Sequence, residues 1–276
     1  MKLLFFIVAL AFLVSCSIAN NSEPRFPFQT GEADSIPHYN LIVMGDNKPK
    51  MSILEIFFSL SNKAKPDHLV HLGDFIPFSS PLGFHAALEA LELLSSSIQT
   101  HFVIGNHDVA DSTGSISNTG INLYNDLMNV NNNNGYYTIE EDNYVLIILN
   151  TTFPLYNSIN TEQYNWLETE LQNAQGKTIL VFTHHPIYPA GHHSAIETAD
   201  QFHTLMQSYQ VKAVFSGHEH LYYKTEQDNI TYVVSGGAGS NLHNSENGTA
   251  IYHMLGITID PFTIDVLDIG GNIIEF

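Results

Sequence analysis

Five short signatures along the chain each carry side chains that can hold a cation: Gly45-Asp46, Gly73-Asp74, Gly105-Asn106-His107-Asp108, Thr183-His184-His185-Pro186 and Gly217-His218-Glu219-His220. Carboxylate, amide oxygen and imidazole without any thiolate form a donor set suited to Fe, Mn, Zn or a similar ion. Seen singly, an Asp or Asn behind a Gly at a strand end is usually a turn residue or a helix cap. A lone Gly-Asp carries no weight and a lone Gly-His-x-His carries little. The ordered set, with its members closing apolar runs, reverses that balance.

The runs in question are Tyr39 to Asp46, His68 to Asp74, Thr100 to Asn106 and Lys177 to His184. Short, largely apolar stretches of this kind predict buried strands in a sheet covered on both faces. Residues 51–64, before the second run, and 83–97, before the third, repeat apolar positions at spacings of three and four, which predicts helices. Alternating strand and helix predicts a parallel sheet. Ligand sites in open α/β sheets lie beyond the carboxyl ends of the strands, so Asp46, Asp74, Asn106 and His184 should meet in one crevice.

Further on, Gly135 to Asn150 reads as a hairpin around residues 140–143, and Thr161 as the N-cap of a helix running to Leu171. Val211 to Gly217 reads as another strand, and residues 221–226, 230–237, 250–259 and 262–269 as β-rich stretches. The four asparagines at 131–134 read as a surface connection. Gly236-Gly237-Ala238-Gly239 reads as a tight turn near the site rather than a phosphate loop, because no helix-opening pattern follows it. With no internal repeat and no linker, residues 39–276 form a single expected domain.

Together the five signatures resemble the calcineurin-like metallophosphoesterase family, within the purple acid phosphatase-like superfamily, over about Tyr39 to Gly239. The resemblance implies an α/β fold: a four-layer α/β/β/α sandwich of two mixed β-sheets flanked by helices. It implies two divalent or trivalent metal ions of the Fe, Mn or Zn class at one rim. One ion would take Asp46, Asp74 and His220, and the other Asp74, Asn106, His184 and His218, with Asp74 bridging. Two such ions activate water for in-line attack on phosphorus and stabilise charge on the phosphoryl oxygens. The implied function is hydrolysis of a small phosphomonoester or phosphodiester. His107 resembles the family's catalytic histidine, and Asp108 would orient its ring and favour its charged form. Lys48, Asn106, His107, His185 and His193 are the candidate substrate contacts. A nucleotide-diphosphate-type pyrophosphatase and a non-catalytic metal-binding surface protein are the alternatives.

The chain departs from the pattern twice. Many relatives place His two residues after the first Asp; here Lys48, a cation at neutral pH and a poor ligand, takes that place and weakens the Asp46/His220 site. Lys48 offers instead a point charge to substrate phosphate. Phe75-Ile76-Pro77 follow Asp74, so the Tyr of a tyrosinate-bound ferric centre is missing. His68, His71, His85, His101, His203, His243 and His253 have no such context and read as structural or solvated.

Composition narrows the partners. Hydrophobic residues at 44% and aromatics at 11% of 276 residues describe a globular chain. Nine Lys+Arg against 28 Asp+Glu give −19, a field that repels nucleic-acid duplexes. One Lys, an apolar run from Leu3 to Val14 and then small residues make residues 1–19 a secretory signal, followed by a polar lead over 20–38. The run is short for a membrane span. The expected location is therefore extracytoplasmic. Cys16 is the only cysteine, so no internal disulfide forms. Leu13-Val14-Ser15-Cys16 resembles a bacterial lipobox, implying a lipid anchor at Cys16 and a periplasmic or outer-membrane lipoprotein. The alternative is cleavage after Ala19 and a freely secreted protein, with sequons at Asn20, Asn150, Asn229 and Asn247.

Overall fold

The computed structural model describes residues 35–48, 50–128 and 135–276. The signal segment, most of the polar lead and Asn131 to Asn134 lie outside the described residues. In chain order the first half holds β1 (Leu41–Met44), α1 (Met51–Ala64), β2 (His68–His71), α2 (Pro81–Leu91), β3 (Gln99–Phe102), α3 (Asn106–Val109), α4 (Asn118–Met128), β4 (Tyr137–Glu140) and β5 (Tyr144–Ile148). The second half holds α5 (Thr161–Asn173), β6 (Thr178–Thr183), α6 (Ala199–Ser208), β7 (Ala213–Ser216), β8 (Tyr222–Gln227), β9 (Ile230–Ser235), β10 (Met254–Ile259), β11 (Phe262–Leu267) and β12 (Ile273–Ile274).

Two six-stranded sheets form, ordered β12-β11-β10-β1-β2-β3 and β4-β5-β6-β7-β9-β8. Both are mixed. The β1-β2-β3 portion is parallel, as the alternation of strand and helix predicted, but β10 joins β1 antiparallel. In the second sheet β5, β6, β7 and β9 run parallel, with β4 and β8 antiparallel at the two edges.

The period-two alternation of strands explains the layering. Leu41 and Val43 join Leu146, Ile148, Leu180, Phe182 and Phe215 in a core between the sheets. Ile42 and Met44 point the other way, onto Leu54, Phe57 and Phe58 of α1. In the second sheet Val145, Ile147 and Val181 pack outward against Leu167 and Leu171 of α5 and Phe202 of α6. The result is the expected four-layer α/β/β/α sandwich, whose central strands are buried on both faces and so read as continuous apolar runs.

Local signals set the element ends. Ser80 caps α2 by accepting from the Gly83 N–H at 3.1 Å, with Pro81 in the first turn. The cap of α5 is Asn160, whose Oδ1 accepts from the Gln163 N–H at 2.8 Å; Thr161 is already helical, a shift of one residue from the sequence reading. α2 begins two residues before the expected helix and ends at Leu91, and residues 250–253 stay outside β10. Among the described residues no helix is long and apolar enough to cross a membrane.

Candidate metal centre

Five strands of the two sheets aim their carboxyl ends at the same rim. Asp46 follows β1, Asp74 follows β2, Asn106 follows β3 and opens α3, His184 follows β6, and His218 follows β7. Three of these residues take a backbone conformation uncommon outside glycine: φ is 61° at Asp46, 55° at Asp74 and 68° at His218. Each sits directly behind a Gly, and close approach explains one of these glycines and one further glycine. A Cβ at Gly105 would lie 2.1 Å from the Asp74 backbone nitrogen, and one at Gly217 would lie 2.4 Å from Asp46 Oδ2.

Asp74, Asn106, His184 and His218 converge as predicted. His184 Nε2 lies 3.0 Å from Asn106 Oδ1, 3.2 Å from His218 Nδ1 and 3.5 Å from Asp74 Oδ1, and His218 Nδ1 lies 3.1 Å from Asn106 Oδ1. The tautomer of His184 is set from behind, where its Nδ1–H donates to the Leu72 carbonyl at 2.8 Å. Nε2 therefore presents its lone pair toward Asn106 Oδ1, His218 Nδ1 and Asp74 Oδ1, the side on which a cation would sit. Burial holds His184 down to about 3 and His218 to about 2, the neutral form that metal ligation requires. This donor set fits a metal ion.

The Asp46 side is less complete. Its Oδ2 accepts from the His218 N–H at 2.9 Å, while Oδ1 is buried without a hydrogen-bond partner. His220 donates Nδ1–H to the Asn241 carbonyl at 2.9 Å, turning Nε2 toward Asp46 Oδ1 at 3.6 Å. Ligand atoms of Asp46, Asp74 and His184 lie within 4.8 Å of one another. These groups also fit a cation, and one is present in the chain itself: the Lys48 ammonium, ion-paired with Asp74 Oδ2. Burial pushes the Asp46 carboxyl well above its ordinary value, with the Asp74 charge adding to it. Burial pushes the Asp74 carboxyl up too, but its interactions with the His184 ring and the Lys48 ammonium outweigh it and hold the group well below the usual range.

The expected pairing of Asp108 with His107 is not what the structure holds. Asp108 accepts four backbone N–H bonds instead, from Asp74 (2.9 Å), Phe75 (2.8 Å), Ile76 (3.2 Å) and Gly105 (2.9 Å). It is the clamp that fixes the turn carrying Asp74. The His107 ring is oriented by Pro77, whose carbonyl accepts from Nδ1–H at 2.7 Å, and the His107 backbone N–H donates to Asp74 Oδ1 at 2.8 Å.

A wall of histidines extends the site. His185, a candidate substrate contact, has its Nδ1 2.9 Å from Thr151 Oγ1 and its Nε2 buried without a hydrogen-bond partner. Its ligand atoms group with those of His184 and His218 within 4.8 Å, so it can also ligate. His193 lies with its ring 4.2 Å from that of His218. His243, read from sequence as structural or solvated, stacks 4.5 Å from His220 and 4.0 Å from His192 and so belongs to the same rim. Glu219, fully buried between the candidate ligands His218 and His220, accepts from the N–H groups of Ala190 (2.5 Å), His192 (2.7 Å) and His193 (2.8 Å) and ties that loop to the strand end that carries them. The glycine turn at 236–239 packs here too, with Ala238 N–H donating to the Gly45 carbonyl at 2.9 Å.

His68, His101, His203 and His253 keep to structural hydrogen bonds elsewhere, with Glu141, Tyr232 and Ser235 among their partners. Of the sequons, Asn150 is buried at 1% exposure and closed to a glycan, whereas Asn229 and Asn247 are exposed.

Two mixed sheets that bring Asp, Asn and His donors to one shared rim define a metal-binding α/β protein of the four-layer kind. The chain belongs to the calcineurin-like phosphoesterase family, whose sequence profile matches residues 40–222. It is 24% identical over 176 residues to a 3',5'-cyclic-nucleotide phosphodiesterase of Nostoc sp., covering 61% of each chain. It is 29% identical over 128 residues to Fe(3+)-Zn(2+) purple acid phosphatase 12 of Arabidopsis thaliana, covering 44% of this chain and 26% of that one. A purple acid phosphatase from yellow lupin (Lupinus luteus) seeds shares the fold with a TM-score of 0.69 at 16% identity, over 90% of this chain and 54% of that one. The chain thus spans less than two thirds of the length of each of these relatives.

Proposed function

We propose that the chain is a metal-dependent phosphoric ester hydrolase acting on a small phosphomonoester or phosphodiester outside the cytoplasm. The observation that carries this is the meeting of Asp74, Asn106, His184 and His218 at 3.0–3.5 Å, their carboxylate, amide and imidazole groups turned toward one another. Ions held there, and on Asp46 and His220, would supply an activated water and Lewis-acid stabilisation of phosphoryl charge. The chain's own residues supply the rest. His107, ring fixed by Pro77, keeps Nε2 free to hand a proton to the departing alkoxide. Lys48, His185 and His193 are the proposed contacts to the incoming phosphate. Export rests on the leader sequence at 1–19, and a lipid anchor at Cys16 on its lipobox-like spacing.

The test is turnover of phosphomonoester, phosphodiester and pyrophosphate substrates by the purified full chain with Mn, Zn and Fe, beside Asn106→Ala. Ester hydrolysis that Asn106→Ala abolishes together with metal content is the expected result. Preference for the pyrophosphate bond would move the chain to the pyrophosphatase reading. Metal content without turnover of any substrate would leave a metal-binding surface protein, a reading that Lys48 on the bridging carboxylate favours.

A further inference from the structure

Beside the metal centre runs a groove of about 450 Å³, lined by Pro77, Phe78, His107, Ala110, Ile116 and Tyr156, with Asn106 at its inner end. Its size falls within the range of small-molecule sites. Two large aromatic side chains line it while remaining open to solvent, Phe78 at 43% and Tyr156 at 53% exposure. Each is tied to the site by a different contact. Phe78 follows Pro77, whose carbonyl receives the His107 Nδ1–H. Tyr156 meets the His185 ring edge-on at 4.8 Å.

The walls are preformed. Ser79 N–H donates to the Ala110 carbonyl at 2.7 Å, and Ala110 bridges to Ile116. Asp111 Oδ1 closes the intervening loop by accepting from the Thr113 N–H at 2.8 Å, the Thr113 Oγ1–H at 2.6 Å and the Ser115 N–H at 3.1 Å. Exposed aromatic faces on a rigid groove are unfavourable in water and favourable against a flat ring, which every aromatic group offers. His107 sits in the same lining, so the groove lies where the leaving group of a substrate protonated by His107 would extend.

We propose that this groove binds the leaving group of the substrate and selects one bearing a planar aromatic ring. The assignment deepens the phosphoesterase reading and rests on it for the word substrate, but the groove's preference is measurable without turnover. Calorimetric binding of 2-phenylethylphosphonate and ethylphosphonate to the metal-loaded full chain isolates the ring, because the two share one phosphonate headgroup. The ring-bearing compound is expected to bind at least about tenfold tighter. Phe78→Ala and Tyr156→Ala should each shrink that ratio about fivefold or more, toward equal affinities, as loss of a stacking partner requires. Leu93→Ala, an exposed apolar residue outside the groove, should leave it intact. Equal affinities in the wild-type protein, or a ratio untouched by both aromatic substitutions, would overturn the assignment. A ring preference in binding with no hydrolysis of the matching phosphates would instead sink the hydrolase reading and leave the groove standing.

Discussion

The Lys48 ammonium is ion-paired with Asp74 Oδ2, while Asp74 Oδ1 faces His184 Nε2 at 3.5 Å and accepts the His107 N–H. The Asp74 carboxylate is thus divided between the candidate ligand His184 and a built-in cation. An ion held by Asp46, His220 and Asp74 would compete with that ammonium for the Asp74 carboxylate.

Lys48→Ala should therefore tighten the weaker of two bound ions. A unit charge about 4 Å away is worth about 4 kcal/mol at an effective dielectric near 20, so a gain of about tenfold or more in affinity is expected. Metal titration of both proteins after chelation measures it. Identical affinities and identical metal content would show that Lys48 does not compete with the ion.

On the proposed reading, His107 serves the leaving group and not the metal. His107→Asn should retain full metal content and lower kcat by about 10²- to 10⁴-fold. Loss of metal on substitution would reassign His107 as a ligand.

Glu219 is predicted to hold the rim loop. Glu219→Ala orphans three backbone N–H groups, each costing about 1–3 kcal/mol when left buried. A lower melting temperature and a raised KM should follow, with Glu219→Gln recovering part of both through its remaining oxygen. Unchanged KM and melting temperature in Glu219→Ala would refute the role.

His253 gives stability a pH dependence away from the centre. Its Nδ1–H donates to the Ile251 carbonyl at 3.0 Å, and Ser235 donates to its Nε2 at 2.9 Å. Burial lowers it from 6.5 to about 4, so the unfolded chain takes up the proton first as pH falls. Its contribution is present above pH 6.5 and is lost on the way down to about 4. Urea unfolding at several pH values should show a shallower acid loss for His253→Gln than for the wild type. Parallel curves would exclude the residue.

Much of the site was legible because sheet burial and ligand placement leave the same trace, an apolar run that stops on a ligand. That trace fixed Asp46, Asp74, Asn106 and His184 with their strands. What stayed hidden came from contacts between distant segments. Nothing in residues 254–259 says that they will pair antiparallel with β1. Asp108 stands next to His107 in sequence, yet α3 turns its carboxylate back onto the amides of Asp74, Phe75, Ile76 and Gly105. Phe78, Tyr156 and His243 reach the site from loops without periodicity, and only the fold brings them there. Glu219 had one visible clue, its place between two ligand histidines.

The left-handed backbone at Asp46 and Asp74 governs how these ligands are best removed. Asn occupies that conformation about as readily as Asp, whereas other side chains with a Cβ are disfavoured there by about 1–2 kcal/mol. Asp46→Asn or Asp74→Asn withdraws a charge and keeps the turn; replacement by Ala or Val withdraws the charge and bends the rim as well. Comparing the two kinds of substitution separates electrostatic loss from distortion of the scaffold.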